Sequence, residues 1–245
     1  MPDRILIINA DDLGYDPEVT RGILESMRGG VVSSTTLIVN SPHSEQAAAS
    51  ATGLAIGLHL NLARFAPVGV GFPAAHLVSG QLSESLAGQL PAEVIEREAL
   101  AQLDRLEAMI GRPATHVDVH KHLHRWPAVF DGLCAAAKIR GLPVRSIDEP
   151  MRTALRARGI ATPDGFIGEA GQEAYWTLPR LRQAIESLPE GVTELMCHPG
   201  YSPLTIPSAY SRQREVELRT FIHPSAADLL QQAGVTVADF TALAG

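Results

Sequence analysis

Aspartates and histidines gather at four places in the chain, each in or directly after a short apolar run. Asn9-Ala10-Asp11-Asp12 closes the first run. His59 stands within Gly57-Leu58-His59-Leu60-Asn61. His116, Asp118, His120, His122 and His124 occupy every second position of one segment. His198 follows Met196-Cys197 and precedes Pro199-Gly200. Carboxylates and neutral imidazoles bind divalent metals, and the same groups serve as general bases and acids. Adjacent carboxylates repel each other, and a cation relieves that repulsion. In a strand Asp11 and Asp12 would face opposite ways, but a chain that turns at the strand end lets both reach one pocket. A period of two puts residues 116, 118, 120, 122 and 124 on one face of an extended chain, and burying them unpaired would be very costly. Two histidines and one carboxylate leave positions open for water and substrate, the pattern of a catalytic metal site.

Taken singly, each cluster has a plainer reading. Asp12 suits the cap of a following turn or helix. His59 suits a hydrogen-bonded core histidine. A helical register would pair His120 with His124 at i, i+4, although Val117 and Val119 favour a strand. Cys197 beside His198 suggests a thiol nucleophile, but neighbours in a strand face opposite ways, which favours a buried structural cysteine.

The elements that must carry these residues follow from hydrophobic spacing. The run at 4–9 is β-branched and apolar on both faces, as in a buried parallel strand. Further strands are expected at 33–39, 54–62, 116–120, 143–147, 194–198 and 235–240. Helices are expected over 17–27, 43–51, 91–110, 127–139, 150–158, 178–188, 211–219 and 225–233. Residues 63–90, with several Gly and Pro, read as a long lid-like loop with a short helix. Strands and helices alternate about seven times, which predicts parallel strands joined by helical crossovers. The expected α/β fold is a barrel-like (β/α) domain over 1–245, a distorted TIM-type barrel with mostly parallel strands. A doubly wound open sheet is the alternative. Either fold places its site at the C-terminal strand ends, where the four clusters fall.

Composition bounds the function. The chain has 245 residues, 45% hydrophobic and 19% charged, with a net charge of −7. That balance argues against nucleic-acid binding, which needs a basic footprint. The first apolar run is too short for a membrane span and is followed at once by two aspartates. Two cysteines, Cys134 and Cys197, exclude a disulfide scaffold and make the cytoplasm the expected compartment. No strand-Gly-x-Gly-x-x-Gly-helix unit supports a dinucleotide.

The four clusters together resemble the YdjC-like family of carbohydrate deacetylases. The matching stretches are Ile8-Asn-Ala-Asp-Asp-Leu-Gly14, Val32-Ser-Ser-Thr-Thr36, Gly57-Leu-His-Leu60, Thr115-His-Val-Asp-Val-His-Lys-His122 and Cys197-His-Pro199, in the family's order. Lys121 stands where many relatives have a further His. The resemblance implies a barrel-like fold, one divalent metal ion and the removal of acetyl groups from N-acetylated sugars. It implies Asp12, His59 and His120 as metal ligands, Asp11 as general base and His198 as general acid. The metal, Mg²⁺ or Zn²⁺, stays open. A homodimer, and a free or lipid-linked sugar as substrate, are further expectations from the resemblance.

Beyond that set, Asp118 or His122 is expected to orient the ligands. Arg64, Lys121, Arg145 and Tyr201 are candidates for substrate contact. Two rival readings are a metal-dependent phosphoesterase on a similar barrel and a non-catalytic sugar-binding or regulatory protein. The first would be expected to show a basic phosphate clamp, and no Arg/Lys cluster lies near the motifs in sequence. The second needs neither Asp11 nor His198.

Overall fold

The computed structural model describes residues 4–243. Its centre is β1 (Arg4–Leu13), apolar on both faces and buried from Leu6 onward. Beside it on one edge lie β2 (Ser34–Leu37), then β3 (Ile56–Leu60) and β4 (Val117–Val119). On the other edge lie β6 (Gly191–Cys197) and β5 (Gly165–Ile167). The order is thus β4-β3-β2-β1-β6-β5, and every ladder between strands is parallel. A short β7 (Thr236–Ala238) pairs with the N-terminal half of β1, while β2 pairs with its C-terminal half. The sheet curls into an incomplete barrel, as expected from the alternating pattern.

Helices make the crossovers. α1 (Pro17–Gly29) follows β1, and its N-cap is Asp16, whose side chain accepts from Glu18 N at 2.9 Å. Capping therefore does not need Asp12. α2 (Ser44–Ser50) joins β2 to β3. Between β3 and β4, residues 63–90 hold a 3₁₀ turn at Ala74–His76 and the short α3 (Glu84–Ala87), and α4 (Ala92–Ile110) follows. Gly111, at φ +69°, closes α4 in the left-handed conformation that glycine tolerates best. α5 (Pro127–Arg140) packs against α4, and α6 (Glu149–Ala157) and α7 (Leu178–Glu186) cover the next stretch. α8 (Arg212–Phe221) and α9 (Pro224–Gln232) close the chain before β7. No described helix is long and apolar enough to cross a membrane.

Three expectations need correction. The stretch 143–147 is not a strand; it makes one parallel bridge, Val144 with Val117. Pro143 has no N–H to extend the ladder. β5 escaped the sequence reading because three residues are too few to show a period. The alternation at 116–124 holds only as far as His120. Lys121 and His122 then adopt left-handed φ of 57° and 52°, so the chain turns, and His122 and His124 leave the strand's inner face.

One packing constraint ties this sheet to its site. His116 stacks on Phe240 with ring centroids 3.5 Å apart. A Cβ on Gly57 of β3 would stand 2.4 Å from His116 Nδ1. The ring is held from its other side, so it cannot retreat. Gly57→Ala should cost about 1–3 kcal/mol of stability through overpacking, read as a lower urea midpoint with an unchanged slope.

Candidate active site

The strand ends supply the site one residue at a time. In β1 the ladder with β2 slips between Ala10 and Leu13, and Asp12 takes φ +73°. Asp tolerates this region better than most residues. The slip lets both Asp11 and Asp12, each 2% exposed, line the same cavity. In β3 and β4, His59 and Asp118 are register partners. Parallel partners share a face, so His59 Nδ1 meets Asp118 Oδ1 at 2.6 Å. Thr36 of β2 donates to Asp118 Oδ2 at 3.0 Å. His120 begins the turn after β4, and His198 follows β6 directly.

Asp12, His59 and His120 converge. Asp12 Oδ1 lies 3.1 Å from His120 Nδ1 and 3.4 Å from His59 Nε2, and the two ring nitrogens are 3.1 Å apart. Three ligand atoms within 4.8 Å of one another could hold a metal ion. Asp12 Oδ1 is buried and accepts no hydrogen bond. Asp118, by accepting from Nδ1, fixes the ring with His59 Nε2 toward Asp12, the usual support of a metal-binding imidazole. Burial pushes His59 down, but the Asp118 carboxylate and its hydrogen bond raise the ring to about 10. The donor set fits a divalent cation: an orphaned carboxylate oxygen and two aimed ring nitrogens.

Asp11 sits in a second, interlocked network. Arg145 grips it with two bonds of 2.7 Å, reaches Asp118 at 2.8 Å and donates from Nε to Glu194 at 2.7 Å. Burial pushes the Asp11 carboxyl up, but the charge and hydrogen bonds of Arg145 hold it far below the usual carboxylate range. Burial lifts Glu194 to about 7 against the same guanidinium. His198 Nε2 stands 4.0 Å from Asp11 Oδ2, and burial lowers its ring to about 4 despite the two aspartates.

Asp11, Asp12, His59, His120 and His198 line a cavity of about 630 Å³. Its wall includes Arg64, Lys121 and His122 from the expected set, together with Tyr15, Phe166 and Tyr210. Tyr15 accepts from Arg64 at 3.0 Å, and Lys121 pairs with Glu84 of the 63–90 segment. Two candidates for substrate contact lie elsewhere. Arg145 is fully buried and spent on three carboxylates, so it organises the site from behind. Tyr201 bonds Glu25 at 2.7 Å under Arg21, outside the cavity. Of the two expected orienting residues, Asp118 touches a candidate ligand. His122 instead packs beside His124 and Phe166.

A family model described as YdjC-like protein matches residues 5–232. The chain belongs to the YdjC-like family. A chitooligosaccharide deacetylase from Serratia marcescens is 35% identical over 97% of this chain and 98% of its own. A carbohydrate deacetylase from Geobacillus stearothermophilus is 36% identical over 95% of each chain. A crystal structure from Enterococcus faecalis, described as a candidate cellobiose-phosphate cleavage protein, superposes with a TM-score of 0.88. It is 28% identical, covering 98% of this chain and 99% of that one.

This YdjC-like chain also uses residues that sequence reasoning gave no role. Thr36 lay inside a matching stretch, and its place on β2 was the available signal. Glu194 stood on the expected strand 194–198, where a charged residue in a buried run was the clue. Arg214 and Glu217 lie beyond the last matching motif, on α8, and nothing local marks them. Arg214 Nη2 meets Asp12 Oδ2 at 2.5 Å. Glu217 accepts from His198 N at 2.6 Å, from Trp176 N at 3.3 Å and from the Tyr210 hydroxyl. Cys197, fully buried with its thiol pushed well up by burial, is no nucleophile in this setting.

Glu217 yields a test by pH. Burial outweighs its hydrogen bonds and raises it from 4.5 to about 7 in the folded protein. A carboxyl raised on folding contributes stability that is full below its unfolded value and lost as pH rises through its folded value. Glu217→Gln should therefore flatten the loss of stability between about pH 4.5 and pH 7, measured by urea unfolding across that range. A slope identical to wild type would remove Glu217 as the titrating group.

Proposed function

We propose that this protein is a metal-dependent carbohydrate N-deacetylase that releases acetate from an N-acetylated amino sugar. The observation that carries this reading is the convergence of His59 Nε2 and His120 Nδ1 on an Asp12 oxygen without a hydrogen bond. The deacetylase names of its relatives point the same way. Asp12, His59 and His120 would hold the cation. Nitrogen-rich donors favour Zn²⁺ or another transition ion, while a carboxylate with room for water tolerates Mg²⁺. When bound, such an ion lowers the pKa of water and polarises a carbonyl oxygen.

The chain's own groups supply the rest. Asp11 is ionised across the physiological range, and Arg145 fixes both of its oxygens, so it waits as an oriented acceptor for a proton from water. The same guanidinium makes it a weak base, which suits a proton held briefly and passed on. His198, 4.0 Å away and lowered to about 4 by burial, takes up that proton and relays it to the departing amine. Tyr15, Phe166 and Tyr210 offer flat apolar faces of the kind that sugar rings stack on. Residues 63–90 act as a lid over this cavity within one domain, with Glu84 reaching across to Lys121.

One observation favours a second reading. Arg64, Lys121, Arg125 and Arg214 all line the cavity, a basic set dispersed in the sequence. A phosphoesterase would use such a set on its substrate.

Incubation with a divalent metal and N-acetylated sugars should release acetate. Phosphate release from a phosphate ester, without acetate, would establish the second reading, and sugar binding without turnover would make the protein a binder. Asp11→Asn should keep its metal and lose about 10²–10⁴ in kcat. His59→Ala should lose the metal, read by elemental analysis; full retention would remove His59 from the ligand set.

A further inference from the structure

Arg214 is 3% exposed, yet it lines the cavity from α8. Three contacts hold it. Its Nε donates to Tyr210 O at 2.9 Å and its Nη2 to Asp12 Oδ2 at 2.5 Å. Its backbone carbonyl accepts from Gly200 N at 3.2 Å, in the turn just after His198. The guanidinium lies between the rings of Tyr15 and Tyr210, at 5.7 Å and 5.8 Å from their centroids. Nη1 makes no hydrogen bond. A buried cation held this firmly presents a fixed fork to its partner.

That partner is divided in its use. Asp12 Oδ1 faces His59 and His120, whereas Oδ2 is taken by Arg214. Carboxylates bind divalent ions through one oxygen or through two. A second oxygen on the ion would fill a position that water or the acyl oxygen needs.

We infer that Arg214 is a positioning residue that keeps Asp12 a one-oxygen ligand, so that the cation retains room for substrate. The inference rests on the metal-dependent reading given above. It predicts an unusual separation of effects. Removing the guanidinium takes a positive charge away from the site, so metal affinity does not fall. What falls is turnover, since an Oδ2 freed of Arg214 would be able to join Oδ1 as a second donor to a bound cation.

The test compares wild type, Arg214→Met and Arg214→Lys. Metal affinity is measured by calorimetry, and the visible absorption of the cobalt(II)-loaded proteins reports coordination number, since added ligands weaken the bands. Acetate release gives kcat and KM. Arg214→Met should bind cobalt at least as tightly as wild type, show weaker bands and lose about 10–100-fold in kcat, with KM little changed. Arg214→Lys should recover part of the band intensity and part of the rate. Unchanged bands and unchanged kcat in Arg214→Met overturn the inference. So does a parallel loss of metal affinity and thermal stability with unchanged bands, which is what mere anchoring of α8 would give. If Arg214→Met does not fold, Arg214→Lys decides: weaker bands at an unchanged melting temperature support the role, and wild-type bands overturn it. A wild-type chain that binds no cobalt or releases no acetate overturns the functional reading as well. A wild type that does both, beside an unaltered variant, overturns only the role of Arg214.

Discussion

Arg145 is fully buried and touches Asp11, Asp118 and Glu194 at once. An unpaired charge at that depth would be prohibitive, and three carboxylates massed there without it would be equally so. The arrangement constrains everything around it. Asp11, Asp12, Asp118 and Glu194 bring four carboxyls to one end of the sheet, and Arg145 and Arg214 bring two guanidiniums. If all four carboxyls ionise, two negative charges remain in this set, with the buried Glu217 close by on α8. The crowding shows in His59, raised to about 10 by the carboxylates around it, and in Glu194, lifted to about 7 by burial. A divalent cation between Asp12, His59 and His120 would answer the same deficit directly. Breaking one buried partner leaves the others uncompensated, which is why the network behaves as a unit.

Local strain follows the same map. Among the described residues, five non-glycine residues have left-handed φ: Asp12, Lys121, His122, Phe65 and Ser79. The first three stand at the cavity, and the last two lie in the 63–90 segment, from which Arg64 and Glu84 line it. Each such residue costs of order 1–3 kcal/mol, and persists only where its surroundings over-determine it. At Asp12 the surroundings are Arg214 and two imidazoles; at Lys121 and His122 they are the wall of the cavity. The gain is directional, because regular strand geometry would send Asp11 and Asp12 to opposite faces.

α8 has a double attachment. Arg214 and Glu217, three residues apart and so on one helical face, hold Asp12 on one side and the His198 backbone on the other. The candidate ligand set and the candidate proton donor are thus braced by one helix, which makes the distance between them a property of the fold.

The sequence by itself determined the alternating α/β pattern, the strand-end clusters and the candidates Asp11, Asp12, His59, His120 and His198 that line one cavity. Those signals are local: an apolar run, a period of two, a proline or glycine at an element's end. It also led to the right family, because the motifs run in order along most of the chain. Only the tertiary structure decided that Arg145 serves carboxylates and not substrate, that Tyr201 faces away, and that Arg214 and Glu217 belong to the site at all. It also ended the period-two face at His120, where two left-handed residues turn the chain. The reason is physical. A side chain's task inside a protein is set by which charges it is buried against, and burial partners 49 and 134 residues apart, as for Arg145 with Glu194 and Asp11, leave no trace in local spacing.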